Sequence, residues 1–216
     1  MKVSVSILSS NNRIECIKKL NNTTVDYYHI DVMDGKFVNN YQMPIEEIEE
    51  MIKYTNKPLD IHLMVENPIE YLEQLNQKKI LSDYLTFHLE AVKDKEFVIR
   101  KIKESGYKVG ISIKPKTDIK ELIPYLSIVD LVLIMSVEPG QGGQKFIPDT
   151  FKKISNLKEL IKIKNSSAII EVDGGINDTN IEALKKSGAN IVVSGSYIVN
   201  QDNYQNQINK LKIWFF

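Results

Sequence analysis

Short runs dense in β-branched and aliphatic residues recur along the chain at Val3 to Leu8, Tyr27 to Val32, Leu59 to Met64, Tyr84 to His88, Lys108 to Ile113, Leu131 to Val137, Ala168 to Val172 and Asn190 to Val193. Each is short and bounded by polar or turn residues, which predicts eight strands. Between most of them the apolar positions move to helical spacing, at Pro44 to Tyr54, Pro68 to Gln77, Glu96 to Ser105, Thr150 to Ile163 and Thr179 to Ser187. Asn67 before Pro68 suits a helix start, and Ser105-Gly106 and Ser187-Gly188 suit helix ends that feed a strand. The stretch from Lys116 to Tyr125 is less periodic and predicts only a short helix. Strand, helix, strand repeated through crossovers of this length requires a parallel sheet with both faces covered. No linker or shift of composition divides the chain, so the prediction is an α/β fold, a closed eight-stranded parallel (β/α)8 or TIM barrel formed by residues 1–216 as one domain.

Composition narrows the choice of partner. Acidic and basic residues balance at 28 each, which gives no basic face for nucleic acid and no attraction to an anionic membrane. Small molecules are the expected ligands. No apolar stretch approaches the roughly 18 residues of a membrane span, and Met1 to Ser6 leads directly into a strand pattern without a signal-peptide core. The one cysteine, Cys16, has no partner for an internal disulfide and reads as a small buried residue of the first helix. A reducing cytoplasm fits all three features.

In a barrel of this kind the chemistry sits at the C-terminal ends of the strands. The second run places His29, Asp31 and Met33 on one face by its period of two; the third places His62 and Met64 together at its end; the seventh ends in Asp173. Taken singly, each histidine reads equally as a hydrogen-bonded core residue and each aspartate as a loop cap. Together on one rim, His29, Asp31, His62 and Asp173 make a plausible shell for a divalent cation, because buried carboxylates are costly without a counter-charge. Met33, Met64 and Met135 read either as a water-excluding ring around that site or as core filling. Glycine-rich loops that bring backbone N–H groups close to an anion follow the sixth, seventh and eighth runs: Gly140, Gln141, Gly142 and Gly143; Gly174 and Gly175; Gly195 and Ser196. His88 reads as a supporting residue, Lys114 and Lys116 as solvated loop lysines, and Trp214-Phe215-Phe216 as a terminus packed on the barrel's outside or on a subunit partner.

These residues carry a resemblance that covers nearly the whole chain. Ser6-Ile7-Leu8-Ser9, His29-Ile30-Asp31-Val32-Met33-Asp34-Gly35, His62-Leu63-Met64, Leu133 to Val137, Pro139 to Gln144 and Glu171-Val172-Asp173-Gly174-Gly175 are similar to the motifs of the ribulose-phosphate 3-epimerase family. The resemblance implies that His29, Asp31, His62 and Asp173 ligate one divalent metal, Zn²⁺ or Fe²⁺ foremost and Mn²⁺ or Co²⁺ otherwise. It implies Asp31 as proton acceptor and Asp173 as proton donor, with Ser6 and His62 against substrate and the glycine loops on its phosphate. The implied activity is isomerisation within the pentose phosphate pathway, by a cytoplasmic homo-oligomer. Departures from the family pattern fall at Asn39, where proline is usual, at Tyr41-Gln42-Met43, where a glycine-ending stretch is usual, at Lys114-Pro115-Lys116 in place of Asn-Pro-Gly, and at Gln141 in place of phenylalanine. They affect loop shape and leave all four implied ligands in place.

Inverting a carbon beside a ketone needs one acid–base group on each face and a charge sink for the enediolate between them. The second and seventh of eight strands supply opposed positions for such a pair. Two other readings remain at this level: an epimerase of a ketohexose 6-phosphate such as allulose 6-phosphate, and a noncatalytic sugar-phosphate-binding barrel.

Overall fold

The computed structural model describes residues 1–212, so the aromatic terminus at 214–216 lies outside the described residues. The strands are β1 (Lys2–Ser6), β2 (Tyr27–Asp34), β3 (Tyr41–Gln42), β4 (Leu59–Met64), β5 (Tyr84–His88), β6 (Lys108–Ile113), β7 (Leu131–Met135), β8 (Ile169–Asp173) and β9 (Ile191–Ser194). All pair in parallel with their neighbours except β3, a two-residue antiparallel flap on the end of β2. β1 pairs with β9 on one side and β2 on the other, which closes the eight long strands into a barrel. The expected fold class is therefore the one found. The flap is not visible in the sequence pattern, because two residues cannot express a period.

The helices are α1 (Arg13–Asn21), α2 (Ile45–Met51), α3 (Pro68–Gln77), α4 (Lys95–Glu104), α5 (Thr150–Ile163), α6 (Ile181–Ser187), α7 (Ser196–Val199) and α8 (Tyr204–Leu211). Side-chain caps start several of them: Asn12 accepts from the Glu15 N–H, Asp94 from that of Phe97 and Asn203 from that of Asn206. Asn67 stands at the start of α3, yet its side chain makes no cap bond, and Pro68 in the first turn carries the start instead. Gly188 ends α6 at φ 116°, a left-handed conformation that glycine adopts freely. Two predicted helices are shorter than their periodicity: the one from Pro44 tightens into a 3₁₀ turn at Ile52–Tyr54, and the one from Thr179 begins at Ile181. Between β6 and β7 only a 3₁₀ turn forms, at Ile119–Leu122, as the weak periodicity there implies.

Alternation along each strand separates two interiors. Val3, Val5, Ile30, Val32, Ile61, Leu63, Phe87, Ile111, Ile134, Val172 and Val192 face the helices and pack with Ile17, Leu20, Ile48, Leu75, Ile102, Leu157 and Leu184 in one continuous cluster. Each such side chain contributes about 1.5–3 kcal/mol by leaving water, so this sheath is where the barrel is stabilised. The opposite positions form a lumen that is polar for much of its height. Ser4, Ser6, His29, Asp31, Asp60, His62, Thr86, His88, Ser112 and Glu171 are all buried there, above a plug that includes Tyr27, Tyr84, Leu131, Leu133 and Ile191.

The lumen is also tight. Gly110 pairs with Thr86 across β5 and β6, and a Cβ at Gly110 would stand 2.0 Å from Thr86 Oγ1 and 2.8 Å from Thr86 Cβ. Gly110→Ala is expected to cost about 1–3 kcal/mol through overpacking. Each kcal/mol lowers Tm by roughly 2–4 °C in a chain of this size. Thr86→Ala in the same chain should recover part of the loss, and an unchanged melting temperature in Gly110→Ala would show that this layer can yield.

Candidate functional site

Four lumen side chains converge at the C-terminal mouth. One ligating atom from each of His29, Asp31, His62 and Asp173 lies within 4.8 Å of the others. β2 supplies His29 and Asp31 two residues apart, β4 supplies His62 in register with Asp31, and β8 ends on Asp173. His29 Nε2 is 3.5 Å and His62 Nδ1 3.6 Å from Asp31 Oδ1. Neither nitrogen has a hydrogen-bond partner although both are fully buried. Two imidazole nitrogens without partners and two carboxyl groups aimed at one point fit a divalent cation, which accepts from all four once their protons are displaced.

The supporting contacts are as ordered as the cluster. Asp60 Oδ2 lies 2.7 Å from His29 Nδ1 and accepts from the Ser4 hydroxyl at 2.8 Å. The Ser6 hydroxyl donates to Asp31 Oδ2 at 2.7 Å. Ser136 donates from its hydroxyl to the carbonyls of Asp173 and Gly174 at 2.7 Å each, and its N–H to the Asp173 carbonyl, which fixes the end of β8. Sequence reasoning missed Asp60, Glu171, Ser4 and Ser136. The first two were legible: Asp60 shares a strand face with His62, and Glu171 shares one with Asp173. Asp34, inside the most distinctive motif, is a loop cap that accepts from the N–H groups of Lys36, Phe37 and Glu66.

Electrostatics separates the two aspartates of the cluster. Burial pushes the Asp31 carboxyl up, but the His29 charge and the two facing imidazoles outweigh it and hold Asp31 well below the ordinary carboxylate range. Burial raises Asp173 as well, and there the neighbouring Asp31 charge adds to it, so Asp173 is pushed up to about 7. Burial alone would discharge His29, yet Asp60 and Asp31 on either side hold it well above its usual value. His62 is lowered, by burial first. Beneath the cluster, burial and the Asp60 charge raise Glu171 well above the usual range.

A single cavity opens over these groups. Ser6, Asp31 and Asp173 line it, as do Met33, Met64 and Met135 and the loop residues Gly140, Gln141, Gly142, Gly143, Gly174, Gly175, Gly195 and Ser196. His29 and His62 are not on its wall; they lie fully buried beneath it, within the four-residue cluster. Gly175 has φ 65°, and a Cβ there would stand 2.5 Å from the Phe146 backbone nitrogen, so the loops after β7 and β8 meet backbone to backbone. The loop after β7 is tied to itself by the Gln144 amide, which donates to the Glu138 and Gln141 carbonyls, and to the β2 side of the mouth by Asn40, which donates to the Gly140 carbonyl at 2.6 Å. Gln141 itself is exposed. Lys114 Nζ lies 4.0 Å from the centre of the Phe37 ring, so it is not simply solvated as expected; Lys116 faces an open surface groove. No helix among the described residues is long and apolar enough to cross a membrane.

Comparison with known proteins identifies the family of the chain. The family model described as Ribulose-phosphate 3 epimerase family matches residues 2–199. A ribulose-phosphate 3-epimerase of Helicobacter pylori strain J99 is 42% identical over 202 residues, covering 92% of this chain and 90% of the relative. A rice (Oryza sativa subsp. japonica) protein named ribulose-phosphate 3-epimerase, cytoplasmic isoform, is 38% identical over 203 residues, covering 91% and 86%. Among solved structures, the tryptophan synthase A-subunit of Pyrococcus furiosus superposes with a TM-score of 0.70 at 15% identity, covering 98% of this chain and 97% of that one, a likeness of fold alone. With its motifs, its barrel and nearly its full length accounted for in the same way, the chain belongs to the ribulose-phosphate 3-epimerase family.

Proposed function

We propose that this chain is a ribulose-phosphate 3-epimerase, an isomerase that interconverts D-ribulose 5-phosphate and D-xylulose 5-phosphate by proton transfer at C3. Asp31 and Asp173 are the catalytic pair, and the observation that carries the reading is their convergence from β2 and β8, with His29 and His62, to within 4.8 Å at the mouth of the barrel, where burial and neighbouring charges displace the two acidities in opposite directions. Two titratable groups pushed apart in this way take the roles of base and acid. Asp31, held as carboxylate and anchored by Ser6, takes the proton from one face; Asp173, whose acidity burial and Asp31 bring close to neutral pH, returns one from the other. Since β2 and β8 stand on different walls of the barrel, neither substrate nor side chain needs to swing round.

His29, Asp31, His62 and Asp173 are the residues that would hold a divalent metal, Zn²⁺ or Fe²⁺ foremost given the mixed nitrogen and oxygen donors, with Mn²⁺ or Co²⁺ as alternatives. When bound, such an ion supplies Lewis acidity that lowers the cost of negative charge on the substrate's carbonyl and hydroxyl oxygens. Met33, Met64 and Met135, each at most 2% exposed, keep water from the reacting carbon. The backbone at Gly140–Gly143, Gly174–Gly175 and Gly195–Ser196 is the phosphate end of the cavity, where the glycines leave most of the N–H groups free of Cβ shielding. A single catalytic domain, a cytoplasmic location and a homo-oligomer complete the proposal.

Solvent hydrogen tests it. In D₂O, deuterium is expected at C3 of the D-xylulose 5-phosphate formed, and kcat/KM for the pentulose phosphate should exceed that for allulose 6-phosphate. Net epimerisation without deuterium uptake would exclude a two-base exchange, and a reversed preference would reassign the substrate.

A further inference from the structure

From His62 of the four-residue cluster a chain of polar side chains leads away, through His88 and Glu90, that the reaction above does not use. His62 Nε2 is 2.9 Å from His88 Nε2, and His88 Nδ1 is 3.2 Å from Glu90 Oε2. The other carboxylate oxygen, Glu90 Oε1, accepts from the Lys114 backbone N–H at 2.7 Å and from the Thr117 hydroxyl. Both imidazoles are completely buried. The His88 ring is also held by an aromatic contact: its centre is 4.7 Å from that of Phe37, which in turn carries the Lys114 ammonium. Lys153 of α5 donates from its ammonium to the Lys114 and Pro115 carbonyls at 3.1 and 2.8 Å, which pins the loop that reaches Glu90.

Two ring nitrogens at hydrogen-bond distance share one proton, and which ring owns it is decided at the far end. We propose that Glu90 and His88 are positioning residues that fix the tautomer of His62, so that its Nδ1 presents a lone pair, and not a proton, to the metal cluster. The polarity follows step by step. A carboxylate only accepts, so His88 must carry its proton on Nδ1, facing Glu90. A neutral His88 then has a bare Nε2, which can only accept, so the proton between the rings belongs to His62 Nε2. That leaves His62 Nδ1 unprotonated and aimed at Asp31, the direction in which it has no hydrogen-bond partner. On the other ligand the same task falls to Asp60, which accepts directly from His29 Nδ1. The loop after β6, where Lys114-Pro115-Lys116 departs from the family pattern, thus reaches the metal site through three side chains.

This inference rests on the metal site proposed above, and the isosteric variant Glu90→Gln separates the two. The Lys114 N–H still requires an acceptor, so the oxygen of the introduced amide must stay on that side and its NH₂ must face His88. A donor in that position moves the His88 proton to Nε2, and that proton in turn forces one onto His62 Nδ1. Long-range ¹H–¹⁵N correlation on the metal-free protein reads both tautomers. Wild type is expected to show His62 Nε2–H and His88 Nδ1–H, and Glu90→Gln both reversed, while Thr117→Val, which leaves the Lys114 contact, keeps the wild-type pattern. Competition with a chelator for Zn²⁺ should show Glu90→Gln binding about 10–100-fold more weakly, with an unchanged circular dichroism spectrum. Wild-type tautomers of the opposite sense would overturn the relay without any variant, as would Glu90→Gln with wild-type zinc affinity. If wild type itself takes up no divalent ion, the metal site fails, while the tautomers of the metal-free protein still decide the relay.

Discussion

Asp173→Asn is expected to lower kcat by about 10³-fold, inside the 10²- to 10⁴-fold range that a positioned proton donor contributes, with substrate affinity little changed. The replacement is nearly isosteric. Its amide oxygen can still point at the cluster, and Ser136 holds the Asp173 and Gly174 carbonyls, not the side chain, so the end of β8 should stay in place. What disappears is the group whose acidity burial and Asp31 bring up to about 7, where it can hold and release a proton. The loss is one-sided. Asp31 still faces its own side of the substrate, so the variant should exchange the C3 hydrogen of D-ribulose 5-phosphate with solvent while forming almost no epimer. Mass spectrometry or NMR of recovered substrate from D₂O reads this directly, beside a conventional rate assay on metal-replete protein. Near-normal turnover, or exchange lost together with epimerisation and binding, would remove Asp173 from its role as donor.

Such a one-sided outcome is foreseeable because much of this site can be read from the sequence. His29 and Asp31 alternate with outward-facing Tyr28 and Ile30, and this period of two determines which side chains share the lumen once the sheet is known to close. The same rule applied more strictly also yields Asp60 and Glu171, one step deeper on β4 and β8. What the sequence does not express is pairing between strands and loops. Nothing near Glu90 in the chain signals Lys114 or Thr117, which lie 24 and 27 residues away and meet it only because β5 and β6 are neighbours. Nor does local pattern foretell the β3 flap, whose two residues pair with Met33 and Asp34.

The departures from the family pattern acquire physical meaning in the same way. Met43, where a glycine-ending stretch is usual, sits at φ 53°, a conformation costly for a residue with a Cβ. Its side chain is completely buried in the core below, so apolar burial offsets backbone strain. Arg13 steadies the same segment by donating to Glu47 and Gln42. The loop is thus rebuilt on this side of the mouth without displacing a residue of the cluster.

Withdrawal of the metal tests the other half of the site, and its consequences depend on pH in a direction that can be worked out. Stripped protein is expected to lose essentially all epimerase activity and to regain it on addition of Zn²⁺ or Fe²⁺. Without the ion, Asp31 and Asp60 flank His29 and hold its proton well above the usual histidine range. An ion can use His29 Nε2 only if the imidazole is neutral, so binding must displace that proton. Below the raised folded-state value, each unit of falling pH should weaken affinity by at least about tenfold, more steeply below about pH 7 where Asp173 also gains a proton, and above the His29 value the dependence should level off. Stability changes in the opposite sense for the stripped protein. A group whose folded value is raised contributes stability that is fully present below its unfolded value, about 6.5, and is lost as pH rises through the folded one. The ion therefore adds most where the proton is absent: at a free concentration 100 times Kd it contributes about 2.7 kcal/mol. At roughly 2–4 °C per kcal/mol this is a rise in Tm of about 5–10 °C. Paired melts of stripped and loaded protein at fixed free metal should then diverge as pH rises. Turnover that survives verified removal of the metal, or a gap between the melts that ignores pH, would mean that these four converging side chains answer to something other than a shared cation.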